Sequence, residues 1–192
     1  IFQDELILVA YKPHFLPVTP GGEYVEECLQ SRLRNNSGNQ HLQAMHRIDR
    51  ATAGLVLFSV DPKSRQHYHR LFEAHQVNKT YQAIASTNGM PPMKGQKWEV
   101  NSHSLIRCLQ CSADKALFEL KPITGKTHQL RLHMQSLGWP ILHDAYYPQL
   151  QASKQPDDFS KPLQLLAQQL QFIDPVTQQS RSFSSGTELS LT

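Results

Sequence analysis

Four charged or ionisable residues lie close together in the stretch MHRIDRATAGLVLFSV: His46, Arg47, Asp49 and Arg50. They directly precede a continuous apolar run that reads as a buried strand, and a rigid strand fixes the geometry of the loop that enters it. An aspartate among arginines is favoured as the anion, which suits a nucleophile or an electrostatic stabiliser and does not suit a general acid. The same charges could instead form a salt-bridge network that braces the loop.

A second candidate is the tripeptide Gly125-Lys126-Thr127, the ending of a nucleotide-binding P-loop. A P-loop needs another glycine five residues before that Gly, but Leu120 stands there, inside a predicted strand, and Pro122 removes a backbone donor. The sequence therefore excludes a P-loop. We expect a turn and a helix start near Thr127, where Lys126 and free N–H groups could hold a phosphate; a turn glycine with a solvated lysine is the alternative.

The helix predicted after this turn carries an arginine of interest. Leu130, Met134 and Leu137 form an apolar stripe, and Gly138 is a typical stop signal. Arg131 lies beside that stripe, at the edge of the predicted core. Because isolated helical arginines are usually surface residues, a role for Arg131 depends on a carboxylate that pairs with it.

A metal site is the competing interpretation of the histidines. Potential ligands are numerous: His46, Asp49, His128, His133, His143 and Asp144. However, His128 and His133 are five residues apart and so lie on different faces of a helix, unlike the four-residue spacing of a zincin. Arg47, Arg50 and Arg131 would also bring positive charge to a cation site. We therefore expect no metal.

The cysteines predict a reducing environment. Cys28, Cys108 and Cys111 are too few for a disulfide scaffold, which favours a cytoplasmic protein. Cys108 and Cys111 lie in an alternating stretch, SLIRCLQC, where residues three apart point to opposite faces of a strand. We therefore expect two ordinary thiols and neither a redox nor a zinc CxxC site.

Composition indicates a globular domain with a mild preference for anionic partners. The 192 residues are 39% hydrophobic and 18% charged, and the net charge is +3 before the ten histidines are counted. The longest apolar runs, such as residues 54–58, are too short to span a bilayer. No long exposed apolar stripe is evident, which favours a monomer.

The elements that must position these residues follow from hydrophobic periodicity. Strands are predicted for ELILVAYKP, GLVLFSV, KTYQAIAS, SLIRCLQC, KALFELKPI and LQLLAQQLQFI. One helix is predicted for EYVEECLQSRL, which includes Val25. A second is predicted after the Asp61-Pro62 start signal, and a third around Arg131. NNSGNQ and NGMPPMKG read as loops, the second as a possible crossing between lobes. Strands outnumber helices without alternating with them, so we expect an α+β fold on a mixed sheet.

At these residues the chain resembles the RluA-type pseudouridine synthases. HRIDRATAGLVLF is similar to their H-R-L-D-x-x-T-S-G-L signature, KTYQAIA to their K-x-Y-x-A motif, and TGKTHQLRLH with its LGWPILHD tail to their T-G-R-x-H-Q-[IL]-R-x-H motif. QDELILVAYKP is similar to their opening segment. The four motifs occur in the family's order over about residues 2–177. Their combination is far more specific than any one of them.

The resemblance implies a fold and a reaction. The fold would be a largely antiparallel central sheet in two lobes flanked by helices and loops, with a central active-site cleft. Residues 1–192 would form one catalytic domain, in a chain that can extend further. The reaction would need no cofactor: a uridine in structured ribosomal or transfer RNA is detached at its N1-glycosidic bond, rotated, and rejoined through C5.

The resemblance also assigns residues by motif. Asp49 would be the nucleophile, attacking either C1′ of the ribose or C6 of the base, and Arg131 would pair with it. Tyr81 would stack on the target base and help to take the C5 proton, with Leu130 beside it. Arg47 would fill the gap that the flipped uridine leaves. Extraction of the base from its stack is what makes an aromatic partner necessary.

Other motif residues are expected to contact RNA: His46, Arg50, Lys126 and His128. The sequence departs from the family pattern at several positions, where Ala53 replaces a common serine, Lys126 an arginine, His143 a glycine, and Gln168 stands near a frequent His-Ala pair. None of these is Asp49, Tyr81 or Arg131, so we expect an active enzyme. An RNA-binding protein on the same fold, without catalysis, is the alternative.

Overall fold

The computed structural model describes residues 1–21, 27–101, 103–147 and 157–191. The chain divides into two compact units. The first comprises residues Ile1–Asn78 and Gln169–Ser185, and the second Lys79–Gln168 and Gly186–Thr192. The expectation of an α+β chain in two lobes agrees with three helices among the described residues and two separate units.

Unit 1 is built from short strands and two helices. Its elements are β1 (Phe2–Gln3), β2 (Ile7–Lys12), α1 (Leu29–Ser37), β3 (Gln43–Ala44), β4 (Ala53–Ser59), α2 (Arg65–Glu73), residues 169–173 of β9 (Leu165–Ile173), and β10 (Ser180–Ser184). β2 pairs antiparallel with β1 and β4, β3 with β4, and β10 with β9. All seven residues of β4 are buried, which explains its unbroken apolar sequence.

The core of unit 1 joins the strands to α2. It contains aliphatic side chains of β2 and β4, the α2 residues Tyr68 and Leu71, and Phe172 and Phe183 near the end of the chain. Phe72 packs against its edge. The spacing of Tyr68, Leu71 and Phe72 presents all three to one side of the helix, and that side faces the core.

Unit 2 contains an antiparallel sheet and one helix. Its elements are residues 79–86 of β5 (Asn78–Ser86), β6 (Lys97–Val100), β7 (Ser104–Cys111), β8 (Lys115–Pro122), α3 (Gln129–Ser136) and residues 165–168 of β9. The strands follow the order β5-β8-β7-β6. Trp98, Phe118 and Trp139 form an aromatic cluster, with the two indole centroids 4.8 Å apart. The loop NGMPPMKG lies within this unit, so the idea that it crosses between lobes is wrong.

Helix boundaries differ from the sequence expectations. α2 begins at Arg65, because Asp61 instead closes a turn by accepting the Lys63 N–H at 2.9 Å. α1 begins at Leu29 and extends to Ser37, through part of the segment predicted as loop, and Gly38 ends it at φ 70°. Val25 lies outside the described residues. α3 begins at Gln129, two residues after the predicted start.

The sequence predicts that the two cysteines of CLQC point to opposite faces of β7, and this prediction is wrong. A β-bulge between Cys108 and Gln110 shifts the alternation of β7, because a bulge inserts an extra residue into one strand. Burial and the hydrogen-bonded Cys111 thiol raise the pKa of Cys108 to about 11. Cys108 therefore stays a protonated thiol at neutral pH, which makes it a poor nucleophile.

Candidate active-site residues

In unit 1, Asp49 lies in the loop that leads into the buried strand β4. Its carbonyl oxygen accepts the Thr52 N–H at 3.0 Å, which closes a turn over residues 49–52. The loop is anchored at its start by the Met45 N–H, which donates to the Leu57 carbonyl at 2.9 Å, and Ile48 is buried. The half-buried Asp49 side chain is thus carried by a backbone with few degrees of freedom.

Two residues just after the start of the chain brace the same turn. The Lys12 Nζ donates to the Arg50 carbonyl at 3.0 Å and to the Pro13 carbonyl at 2.8 Å, and the His14 Nδ1 lies 2.6 Å from the Ala51 carbonyl. Burial and the neighbouring Arg50 lower the pKa of Lys12 to about 7, although the Asp49 charge opposes this. Lys12 lies in the opening motif, and that place was the only signal of its role in the sequence.

The other charged residues of this loop have different environments. Arg47 is exposed. The His46 ring stacks on Phe72 with centroids 4.7 Å apart, and its Nε2 accepts the Leu57 N–H at 3.1 Å. The Arg50 guanidinium lies over the Phe15 ring at 5.9 Å. His46 therefore supports the loop structurally, whereas Arg47 presents its charge to solvent.

In unit 2, Tyr81, Leu130 and Arg131 lie on regular elements. Tyr81 is half-buried on β5, opposite Leu120 of β8. Leu130 and Arg131 are neighbours on α3 and are 7% and 2% exposed. Arg131 is therefore not the core-edge residue that the sequence suggests but a buried one. A buried guanidinium requires a partner charge or acceptor.

Asp144 is a carboxylate partner of Arg131 within unit 2. The Arg131 Nε donates to one carboxylate oxygen at 2.7 Å and an η nitrogen donates to the other at 2.5 Å. Both side chains are almost fully buried, at 2% and 1% exposed. Sequence reasoning considered Asp144 only as a metal ligand. Its position in the tail of the third motif was the signal that could have identified it.

The start of α3 is organised around a buried glutamine. The Gln129 Oε1 accepts the Thr124 hydroxyl at 2.6 Å and the Lys126 N–H at 3.1 Å, while its Nε2 donates to the His103 carbonyl at 2.9 Å. His128 precedes the helix at φ 53°, and its Nδ1 lies 3.2 Å from the Tyr147 hydroxyl. The exposed Lys126 side chain remains suited to a phosphate, but its own N–H is already occupied by Gln129.

The sequence-predicted residues thus fall into two groups. Unit 1 carries His46, Arg47, Asp49 and Arg50 on one loop, and unit 2 carries Tyr81, Lys126, His128, Leu130 and Arg131. Within the described ranges, no three or more His, Cys, Asp or Glu side chains are grouped so that they could hold a metal ion. None of the helices in those ranges has the length and apolarity needed to cross a membrane.

The chain is similar in sequence to known proteins. A family model described as RNA pseudouridylate synthase matches residues 6–136. The chain is 31% identical to the dual-specificity RNA pseudouridine synthase RluA of Pasteurella multocida, over 96% of this chain and 91% of that protein. It is 30% identical to an uncharacterized RNA pseudouridine synthase of Synechocystis, over 77% of this chain but only 57% of that relative's length.

Solved structures agree at the level of the fold. Human RNA Pseudouridylate Synthase Domain Containing 4 superposes with a TM-score of 0.71, at 23% identity, over 99% of this chain and 88% of that one. Human RNA Pseudouridylate Synthase Domain Containing 1 gives 0.73 at 19% identity. The family match covers Asp49, Tyr81 and Arg131, and the relatives align well beyond it. The chain belongs to the RNA pseudouridine synthase family and is of the RluA type.

Proposed function

We propose that this protein converts specific uridines of structured RNA to pseudouridine, with Asp49 as the nucleophile and without a cofactor. The observation that carries the proposal is the family match over residues 6–136, which contains the motif aspartate. The reaction is an isomerisation. The bond from C1′ to N1 breaks, a bond from C1′ to C5 forms, the C5 proton leaves to solvent, and N1 gains a proton.

The surroundings of Asp49 support its assigned role. A nucleophile must meet its target atom in a fixed geometry, and the turn that carries Asp49 is held by the buried Lys12 and by His14. Asp49 is half-buried. The resemblance implies attack by this carboxylate either on C1′ of the ribose or on C6 of the base.

The roles proposed for unit 2 residues follow from the resemblance. Tyr81 would stack on the extracted base, which compensates for the stacking lost from the RNA, and would assist removal of the C5 proton. Arg131 would pair with Asp49 and keep it ionised. Leu130 would pack beside the base, and Arg47 would enter the gap left in the RNA. The exposed Lys126 would contact a phosphate.

The substrate class, the cellular location and the oligomeric state are also part of the proposal. Relatives include RluA proteins named dual-specificity enzymes and a mitochondrial tRNA pseudouridine(32) synthase of yeast, 29% identical over 77% of this chain. The yeast name supports transfer RNA as a substrate, and the resemblance implies ribosomal RNA as the other class, with the target base flipped out of its stack. Three unpaired cysteines support a reducing, cytoplasmic location. We propose a monomer.

The test is release of tritium from RNA that carries [5-³H]uridine. The wild-type protein is expected to release tritium from ribosomal or transfer RNA transcripts, because C5 loses its hydrogen when the new bond forms. Asp49→Asn should lower the rate by at least about 10³-fold, since the amide is not a nucleophile. RNA binding, measured by filter retention, should remain. Glu73→Gln, a neutralised exposed acid of unit 1, is the matched control.

Two results would contradict the proposal in different ways. RNA binding without tritium release by the wild-type protein, on all transcripts, would favour the RNA-binding alternative. Full release by Asp49→Asn would leave the reaction intact and remove Asp49 as its nucleophile.

A further inference from the structure

The bulge in β7 brings the two cysteines of CLQC to the same face of the sheet. Residues that lie directly opposite each other in an antiparallel pair project to the same side. Cys108 is opposite Phe118, and Cys111 is opposite Ala116. Because Ala116 and Phe118 are two residues apart on β8, they share one face. The two cysteines therefore project to that face as well, as neighbours along β7.

The two sulfur atoms approach each other along the strand. The Cys108 thiol donates to the Gln110 carbonyl, with 3.4 Å between sulfur and oxygen, so the sulfur is directed toward Cys111. The Cys111 side chain is in turn hydrogen-bonded to Cys108. Two thiols on one face, in contact with each other, have the arrangement that precedes a disulfide.

The spacing of the backbone also permits a disulfide. Three residue steps of β7, from Cys108 to Cys111, lie against two steps of β8. Two steps of a strand span about 6.6 Å, and the Cα atoms joined by a disulfide are about 4.4–6.8 Å apart. Without the bulge the separation would be about 10 Å, which a disulfide cannot bridge.

The two thiols differ in their access to solvent. Cys108 is completely buried, and its backbone is held on both sides: its N–H donates to the Gln96 carbonyl at 3.0 Å, and its carbonyl accepts the Gly95 N–H at 2.8 Å. Cys111 is exposed and is the last residue of β7. A reagent in solution therefore meets Cys111 first, and Cys108 can react only with what is already attached to Cys111.

We propose that Cys108 and Cys111 are a redox-active pair of thiols, which a low-molecular-weight disulfide such as glutathione disulfide oxidises to an intramolecular disulfide. This inference is independent of the proposed function, because it uses no residue to which pseudouridine formation is assigned. A reducing environment keeps the pair as thiols, and an oxidising one closes the bridge.

The reaction takes place in two exchanges. The Cys111 thiolate attacks one sulfur of glutathione disulfide, which releases one glutathione thiolate and leaves the other glutathione on Cys111. Cys108 then loses its proton to solvent and attacks the Cys111 sulfur, from which the second glutathione leaves. Two protein thiols and one external disulfide thus become one protein disulfide and two external thiols. Since the pKa of Cys108 is raised to about 11, alkaline pH accelerates the second exchange.

The test is a mass measurement on the native chain after incubation with glutathione disulfide at about pH 8.5. Remaining thiols are blocked with N-ethylmaleimide before digestion. Trypsin cleaves after Arg107 and Lys115, so both cysteines lie in the peptide of residues 108–115. That peptide should carry no maleimide and should be lighter than its reduced form by two hydrogen atoms. Dithiothreitol should restore both thiols.

Three serine variants test the order of the reaction. Cys111→Ser should leave Cys108 unmodified, because glutathione disulfide cannot reach the buried thiol. Cys108→Ser should retain glutathione on Cys111, because no second thiol displaces it. Cys28→Ser, which removes the buried thiol at the start of α1, is the matched control and should form the bridge as the wild type does.

The unfolded chain provides a comparison, since a flexible CxxC segment can close without help from the fold. The native protein should form the bridge while it keeps its near-ultraviolet circular dichroism, as a parallel sample does in urea. Glutathione that stays on Cys111 of the wild type, or two cysteines that both remain thiols, would overturn the inference. A bridge that forms only in urea, or only with loss of the native spectrum, would overturn it too.

Discussion

At the scale of single residues, Lys12 combines complete burial with hydrogen bonds to two backbone carbonyls, that of Arg50 in the Asp49 turn and that of its own neighbour Pro13. A neutral amine has two N–H donors, which matches these two acceptors. The pKa of about 7 means that Lys12 can be neutral in the folded protein at mildly alkaline pH. Its role is thus to hold the turn by hydrogen bonds, with or without its charge.

Lys12 predicts a pH dependence of stability. Its pKa falls from 10.5 in the unfolded chain to about 7 in the folded protein. Between these values the unfolded chain binds the extra proton, so the contribution of Lys12 to the free energy of unfolding rises with pH. Between pH 7 and 9.5, the free energy of unfolding of the wild type, measured with urea, should rise by about 1–3 kcal/mol relative to that of Lys12→Met.

Measurements at and below pH 6 are the internal control for that prediction. Lys12 is then protonated in both the folded and the unfolded protein, so the difference in free energy of unfolding between wild type and Lys12→Met should not change with pH. A wild-type curve parallel to that of Lys12→Met from pH 7 to 9.5 would show that the folded pKa is not lowered.

The sequence predicted residues from their type and neighbours, but not from contacts made across the fold. Asp49 could be identified because its charged neighbours and the apolar strand lie in one short segment. Asp144 is 13 residues from Arg131, and nothing in the helical pattern indicates which carboxylate meets that arginine. The bracing of the turn by Lys12 depends on pairing of β2 with β4, which periodicity does not specify.

At the scale of elements, α2 is tied to the end of the chain through one buried carboxylate. The Tyr68 hydroxyl lies 3.1 Å from both oxygens of Asp174, and Arg181 joins Asp174 to Asp4. Burial disfavours the charged form of Asp174, but hydrogen bonds from the Thr177 and Val176 amides and from the Tyr68 hydroxyl, together with the Arg181 charge, lower the pKa of Asp174. This network connects residues distant in sequence within unit 1.

Tyr68→Phe should therefore lower the free energy of unfolding by about 1–3 kcal/mol at neutral pH, because it removes a hydrogen bond to a charged group. The measurement is urea unfolding, with the exposed Tyr11→Phe on β2 as a control expected to stay within about 0.5 kcal/mol. The effect should shrink as Asp174 is protonated at low pH. Equal stability of Tyr68→Phe and wild type would show that the network does not stabilise this unit.

Elements with strong hydrophobic periodicity were predicted, and those without it were not. β4 is buried and almost entirely apolar, and β8 combines four buried apolar residues with charged ones, so both sequences resemble strands. β10 has the sequence SRSFS with only Phe183 buried, and its strand character comes from pairing with β9. The bulge in β7 was also invisible, because the alternation on which the prediction for Cys111 depended is broken by backbone geometry.

At the scale of the whole molecule, we predict that the reaction needs no metal. Pseudouridine formation requires only a nucleophile, an oriented base and proton transfer, which side chains can supply. Tritium release should therefore be unchanged after dialysis against EDTA, with a refolded transcript and monovalent salt present to maintain RNA structure. Loss of activity that zinc restores, with the RNA structure intact, would instead support the metal interpretation of the sequence.

The central claim is tested most directly by the nucleosides of RNA treated with the protein. Complete digestion and chromatography should show that each uridine lost appears as one pseudouridine with wild-type protein, and that Asp49→Asn produces none. Free uracil in place of pseudouridine, or equal pseudouridine from Asp49→Asn, would contradict the account.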